Sequence, residues 1–417
     1  MSLLRFQLSN AETYIPNFCY NKFMAVIHKT YQMRAYTSAS GYDRIASVLL
    51  KCAQLYNAGL EEWRSAYRQS GVSRTYHDQS KQLTLVRKDD PEGWGSISVQ
   101  IGRGVLRRLD RARQSFFRRV KDGQKAGYPR FKSWRRYHTI EISEPSPAMV
   151  KQRGSHYVVV VKGLPAVRLR KGLDLPSSEK LKSLSITKRG RRLWVQLTYE
   201  VEMAQLARSA EVVGLDMGVS DRIALSTGER IGRRKKPIER LKRAQQRLSR
   251  CRKGSKRWRE RRAILSNAQH RERVSNRNEC HRLTTEIVHR FGLIAIEGLV
   301  IGSMTASAKG TVDNPGKNVS QKSGLNRSIS EQTWGMIRQQ LTYKAAWAGR
   351  ELVVVDPRYT SQTCSRCEYV SSASRDGKGF KCSRCGYVTD ADINAAVNIL
   401  HRGLAGGNLP AAALDAA

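Results

Sequence analysis

The chain has 417 residues, 40% of them hydrophobic, and sets 75 Lys and Arg against 35 Asp and Glu for a formal net charge of +40. That length suffices for two to four compact units, and so much positive charge repels itself unless a polyanion neutralises it, which points to nucleic acid. No stretch reaches the roughly 18–20 apolar residues of a membrane-spanning helix, and the start, MSLLRFQLSNAETYIPNFCY, lacks the basic-then-apolar order of a signal peptide, so a cytosolic chain is expected.

The first 27 residues show no clear pattern and read as an extension. Residues 28–38 read as a short basic strand. Over 43–57, Ile45, Val48, Cys52 and Leu55 fall on one helical face, so Cys52 is expected as a packed core thiol. Over 104–120, Val105, Leu109, Ala112, Phe116 and Val120 repeat that pattern, ringed by Arg107, Arg108, Arg111, Arg113, Arg118 and Arg119. Such a cationic face is either solvated or set against phosphates, and the overall charge favours phosphates.

From 139 to 202 the period changes to two. Strands are expected at 139–142, 156–162 and 184–187, and again where Leu193, Val195, Leu197, Tyr199 and Val201 alternate. These suggest a small β-barrel or sheet that includes the early strand. Beyond a linker at 204–210, apolar strands at 212–217, 223–226, 293–296 and 352–355 alternate with helices, which predicts an α/β unit. Pro237 is placed to open a long basic helix. Cys280, Leu283, Ile287 and Phe291 share the face of its partner, Trp334 to Ala348 mark another helix, and Ile393 to Leu404 a last one. Residues 302–328, rich in Gly, Ser, Lys and Asn, read as a mobile loop or lid.

Of the eight cysteines, Cys19, Cys52, Cys251 and Cys280 are scattered, while Cys364, Cys367, Cys382 and Cys385 form two Cys-x2-Cys pairs. This fits a reducing compartment better than a disulfide framework. Two thiolate pairs offer tetrahedral soft ligation, which suits one structural Zn²⁺ with no open position for catalysis. Such a metal folds a segment too short to fold alone.

Three carboxylates stand out. Asp216 ends the apolar run VVGLDMG at 212–218, Glu297 ends LIAIEG at 293–298, and Asp392 lies in DADINAA at 390–396, where Asp390 suits a helix cap. An acid at the end of a buried strand wants a cation, a donor or solvent. A lone strand-terminal acid such as Asp216 or Glu297 is more often a cap or ion-pair partner than a ligand. Brought together, the three would hold two Mg²⁺ through oxygen and support in-line displacement at phosphorus.

With these motifs the chain resembles the transposon-encoded TnpB family and the related compact type V CRISPR effectors. The resemblance is carried further by GYPRFK at 127–132 before TIEI at 139–142, LKRAQQRLS at 241–249, LTT at 283–285, NRSIS at 326–330, Trp334-Gly335, YKAAW at 343–347, VDPRYTSQTC at 355–364 and DADINAAVNI at 390–399. It implies a multidomain fold. A wedge-type β-barrel would span 28–40 and 136–208, with a helical recognition domain over 41–135. An RNase H-like RuvC nuclease domain would span 209–361 and 389–405, interrupted by a zinc ribbon at 362–388, with a flexible tail at 406–417. It implies a guide RNA, double-stranded DNA as target, and an Mg²⁺-dependent endonuclease using Asp216, Glu297 and Asp392. The family's basic ribbon residue falls on Arg375, either beside the scissile phosphate or as a solvated loop residue. Glu368 stands after Cys367 where relatives carry Gly, and Gly298-Leu299 follow Glu297 where relatives often carry a second acid. A nuclease-inactive, RNA-guided DNA-binding repressor on the same scaffold is the alternative, and the retention of all three acids argues against it.

Overall fold

A computed structural model describes residues 25–172, 174–190, 192–203, 205–232, 238–311 and 314–406. Most of the expected N-terminal extension, the Pro237 helix start and the tail beyond Gly406 lie outside these residues. The chain divides into two compact units, residues 26–202 and the residues from 203 onward.

The first unit opens with β1 (Ala25–Tyr36), so the last residues of the expected extension belong to a strand. Helix α1 (Ala39–Ser70) starts where the Ser38 hydroxyl accepts from the Gly41 amide and stops at Gly71, whose φ of 65° suits a residue without Cβ. Helix α2 (Tyr76–Asp89) is fixed by a reciprocal capping box between Thr75 and Asp78. Then follow α3 (Val99–Lys121), β2 (Thr139–Ile142), β3 (Val150–Arg153), β4 (His156–Val159), β5 (Val167–Leu169), β6 (Leu181–Arg189) and β7 (Arg192–Met203). The strands form one sheet in the order β2-β6-β7-β1-β5-β4-β3. Alternation along β7 buries Leu193, Val195, Leu197 and Tyr199 against Ile45, Val48 and Cys52 of α1 and Ile101, Val105 and Leu109 of α3. Burial pushes the Cys52 thiol up to about 12, as expected of a packed core thiol.

Two expectations change here. The sheet does not close into a barrel, because β2 and β3 stand at opposite ends of its order. Beyond β2 lies α3 in place of a strand, and it comes so close that a Cβ on Gly104 would sit 2.0 Å from the Glu141 carbonyl oxygen. The arginines of α3 are also less free than the sequence suggested. Arg107 pairs with Glu144, Arg108 and Arg111 pair with Glu141, and Arg113 pairs with Asp110. The α3 face past Leu109 leaves the core, with Val120 exposed.

The second unit is built on β8 (Val212–Asp216), β9 (Asp221–Leu225), β10 (Arg230–Gly232), the helices α4 (Ile238–Ser249) and α5 (Lys256–Arg290), and β11 (Leu293–Glu297). Short α6 (Ile301–Met304), then α7 (Val319–Gln332), α8 (Trp334–Ala348) and β12 (Glu351–Val355) follow. The last elements are β13 (Arg375–Asp376), β14 (Gly379–Lys381), β15 (Val388–Asp390) and α9 (Ala391–Leu404). The main sheet runs β10-β9-β8-β11-β12, with β8, β11 and β12 parallel. The expected loop at 302–328 is helical at its two ends instead, over 302–304 and 319–328. Lys322 donates to the Met304 carbonyl at 2.7 Å, Asn326 donates to those of Thr305 and Ala306, and Ile329 is buried. These anchors hold a helix whose composition alone would not form one.

The two-residue period of the parallel strands assigns their faces. Val213 and Leu215, Ile294 and Ile296, and Val354 pack with Ile287, Phe291, Ile337 and Leu341 of α5, α8 and the turn after α5. Ala295, Val353 and Val355 face the other way, against Ile399 of α9. Gly214 lies on that same side, where an added Cβ would meet the Ala396 carbonyl oxygen at 2.1 Å. Helix α9 therefore rests directly on the β8 backbone.

Replacing Gly214 with Ala is expected to cost about 1–3 kcal/mol through overpacking. Gly232→Ala, where a Cβ would meet nothing within 4 Å, should stay within about 0.5 kcal/mol of wild type. Urea unfolding of both variants checks the contrast.

Candidate active site

The strand faces that receive α9 also carry the acids. β8 and β11 pair in parallel with Ile296 beside Leu215, so the next residues in register, Glu297 and Asp216, end adjacent strands side by side. Asp392 occupies the first turn of α9, whose cap is Asp390. The Asp390 side chain accepts from the amides of Asp392 and Ile393 at 3.0 and 3.1 Å and forms an ion pair with Arg230. Asp390 is thus committed to the helix terminus, leaving the Asp392 side chain for the site.

Glu297 is 6% and Asp392 8% exposed. Burial, reinforced by the nearby charges of Glu297 and Asp392 and opposed by Arg375, pushes the Asp216 carboxyl up to about 7. Burial also raises Glu297, against a hydrogen bond from Thr360 and the charge of Arg402. Arg375, on the hairpin made by β13 and β14, places Nη2 3.0 Å from Asp392 Oδ1. The three acids and Arg375 therefore share one electrostatic neighbourhood that disfavours three simultaneous negative charges. It would welcome added cations.

Residues 356–365 connect β12 to the first thiol pair. This strap was legible as a motif, but its side-chain roles were not. The Thr360 hydroxyl donates to Glu297 Oε1. Asn394 and Asn398, one turn apart on α9, hold the strap's backbone, and Arg402 donates to the carbonyls of Asp356 and Arg358. Buried amides four residues apart, as Asn394 and Asn398 are, were the signal that could have revealed these contacts.

The thiol cluster follows. Cys364 and Cys385 place their sulfurs 3.7 Å apart, and Cys367 and Cys382 place theirs 3.6 Å apart. Among the described residues, these four are the one set of three or more Cys, His, Asp or Glu whose ligand atoms all lie within 4.8 Å of one another, so the set could hold a metal ion. Hydrogen bonds from the backbone amides of Cys385 and Arg384 hold the Cys382 thiol down at about 6, favouring the thiolate a metal needs. Each knuckle closes through a left-handed residue after its second cysteine, Glu368 (φ 59°) in one and Gly386 (φ 71°) in the other. Lys378 of the hairpin also reaches Asp221 of β9 at 3.2 Å, tying the thiol-bearing segment to the sheet.

The family described as "Cas12f1-like, TNB domain" matches residues 334–399, and that described as "Probable transposase" (OrfB of IS605) matches residues 196–308. InsQ of Escherichia coli K12, named for an inferred RNA-guided DNA endonuclease activity, is 33% identical over 72% of this chain and 73% of its own length. A Streptomyces pristinaespiralis protein named for the same inferred activity is 27% identical over 83% of this chain and 79% of its own. In fold, the chain is similar to the protein in the cryo-EM structure of a Cas12f1–sgRNA–target DNA complex, with a TM-score of 0.57 at 15% identity, covering 90% of this chain and 98% of that one. No helix among the described residues is long and apolar enough to cross a membrane.

Two outcomes follow from this site. A carboxyl raised from 3.8 to about 7 contributes stability that is fully present below its ordinary value and is lost as pH rises through 7. The thermal midpoint of magnesium-free protein should therefore fall between about pH 5 and 7, and Asp216→Asn should flatten that fall; an unchanged slope would contradict the assignment. In the first knuckle, Glu368→Gly removes a side chain from a left-handed position and should stabilise the segment by roughly 1 kcal/mol, read as a higher urea midpoint for the segment.

Proposed function

Because this chain belongs to the TnpB family, we propose that it is an RNA-guided DNA endonuclease cutting at Asp216, Glu297 and Asp392 on an RNase H-like, RuvC-type sheet. The observation that carries the reading is the convergence of those acids, two ending adjacent parallel strands and one opening the helix laid across them, with the Asp216 carboxyl driven up by burial and then by the other two. Buried acids in that relation are costly unless cations are held among them.

The donor set fits Mg²⁺, which takes carboxylate oxygen. Three carboxylates facing one space suit a pair of ions about 3.5–4 Å apart. When bound, that pair would supply an activated water and charge stabilisation for the leaving oxygen. Asp216, Glu297 and Asp392 would hold it, Asp216 after losing the proton that burial favours. Arg375 would oppose charge on the scissile phosphate from the side of Asp392. Cys364, Cys367, Cys382 and Cys385 would hold one Zn²⁺ in a closed structural site. That ion would fix the hairpin bearing Arg375.

Sequence recognition would rest on pairing between a guide RNA and one strand of the target duplex, while the protein holds the heteroduplex through its backbone. A net charge of +40 suits that task. Residues 28–40 with 136–208, and the helical segment 41–135, would supply the surfaces for that duplex.

The test is cleavage of a guide-matched plasmid by the purified ribonucleoprotein in Mg²⁺. Asp216→Ala, Glu297→Ala and Asp392→Ala should each lower the rate by at least about 10³-fold. Equal cutting by wild type and Asp216→Ala would refute the site. No cutting by wild type with a verified guide would favour the repressor reading.

A further inference from the structure

We propose that Thr360 is a positioning residue for Glu297, held in place by Asn398, so that the thiol-bearing segment and the carboxylate centre are set as one mechanical unit. This rests on the metal-centre reading above and adds residues that the reading does not need.

Thr360 is 3% exposed, and its hydroxyl lies 2.5 Å from Glu297 Oε1 and 3.1 Å from the Pro357 carbonyl oxygen. One hydroxyl proton serves both, and the carboxylate is the nearer and the stronger acceptor. The bond engages Oε1 and leaves Oε2 for a cation. It also opposes the repulsion between Glu297 and Asp216, which would otherwise turn the carboxylate away from the shared space.

Thr360 is itself fixed through its backbone. Asn398, 5% exposed, donates to the carbonyls of Thr360 at 2.9 Å and Thr363 at 2.7 Å. Asn394, 1% exposed, donates to the Thr363 carbonyl at 2.7 Å and accepts from the Ser365 amide at 3.0 Å. These two amides clasp the backbone on either side of Cys364. Helix α9 thus sets Asp392 directly and Glu297 through the chain Asn398, Thr360, Glu297. The same clasp seats the first thiol of the metal cluster. An outer-shell partner that orients a metal-holding carboxylate alters metal affinity, whereas a residue with a packing role alone alters stability.

The experiment measures Mn²⁺ binding to zinc-loaded protein by electron paramagnetic resonance of the free ion. Thr360→Val keeps the shape and removes the donor, and should weaken Mn²⁺ binding about tenfold or more. Thr360→Ser keeps the hydroxyl and should restore wild-type affinity. In a Glu297→Gln background, Thr360→Val should add nothing, because the two changes act through one contact. Asn398→Ala should weaken binding in the same direction, and it carries the comparison if Thr360→Val does not fold. Cleavage assays should show a higher Mg²⁺ requirement with an unchanged KM for DNA. Wild-type Mn²⁺ affinity in Thr360→Val, or equal losses in the Val and Ser variants, would overturn the proposal alone. Absence of Mn²⁺ binding by wild type would overturn the metal-centre reading and this proposal with it.

Discussion

The C-terminal unit depends on how closely α9 lies on its sheet. Gly214 leaves no side chain between β8 and the Ala396 carbonyl, and Gly403 does the same toward Ala295, where a Cβ would stand 2.7 Å from the Ala295 methyl. Ala395 and Ala396 continue the same small-residue contact. The apolar gain of this contact comes from close packing of small groups, so it tolerates little added volume. Because the helix is seated so low, its first turn comes level with the ends of β8 and β11, and Asp392 joins Asp216 and Glu297 there. A helix displaced outward would keep its hydrophobic face and still separate the acids.

That proximity is electrostatically unfavourable by itself. The chain carries a large positive charge, yet at this point it gathers three acids, two of them nearly buried. The fold answers with Arg375 at Asp392, the Thr360 hydroxyl at Glu297 and a proton favoured on Asp216. Each is a partial substitute for cation charge. Under the proposed reading, these partners hold a preorganised but charge-deficient site, which is the condition for strong binding of small hard cations. The thiol-bearing segment contributes to this directly, since Arg375 lies on its hairpin and Thr360 on the strap that leads into it.

Much of the architecture was readable because period and burial agree. The apolar runs ending in Asp216 and Glu297 are strands covered on both faces, and such strands read as continuous hydrophobic stretches. Their acids stood out for the same reason. What the sequence hid was set by contacts distant in the chain. The sheet's open end depends on Gly104 meeting Glu141, and the pairing of the α3 arginines depends on acids about thirty residues away. Helix α7 is held by Lys322 and Asn326 reaching back to carbonyls near α6, so its Gly- and Ser-bearing sequence read as a loop. The capping box at Thr75 and Asp78 was a local signal and could have announced α2. Thr360 gave no such signal, because its partner lies 63 residues away.

The central claim is that Asp216, Glu297 and Asp392 jointly hold divalent ions. Anomalous diffraction from crystals of the zinc-loaded protein soaked in Mn²⁺ tests it most directly. The account predicts manganese peaks bounded by those three carboxylates, distinct from the zinc peak among the four thiols. Manganese absent from that space, with Arg375 still on Asp392 and the acids unliganded, would contradict it.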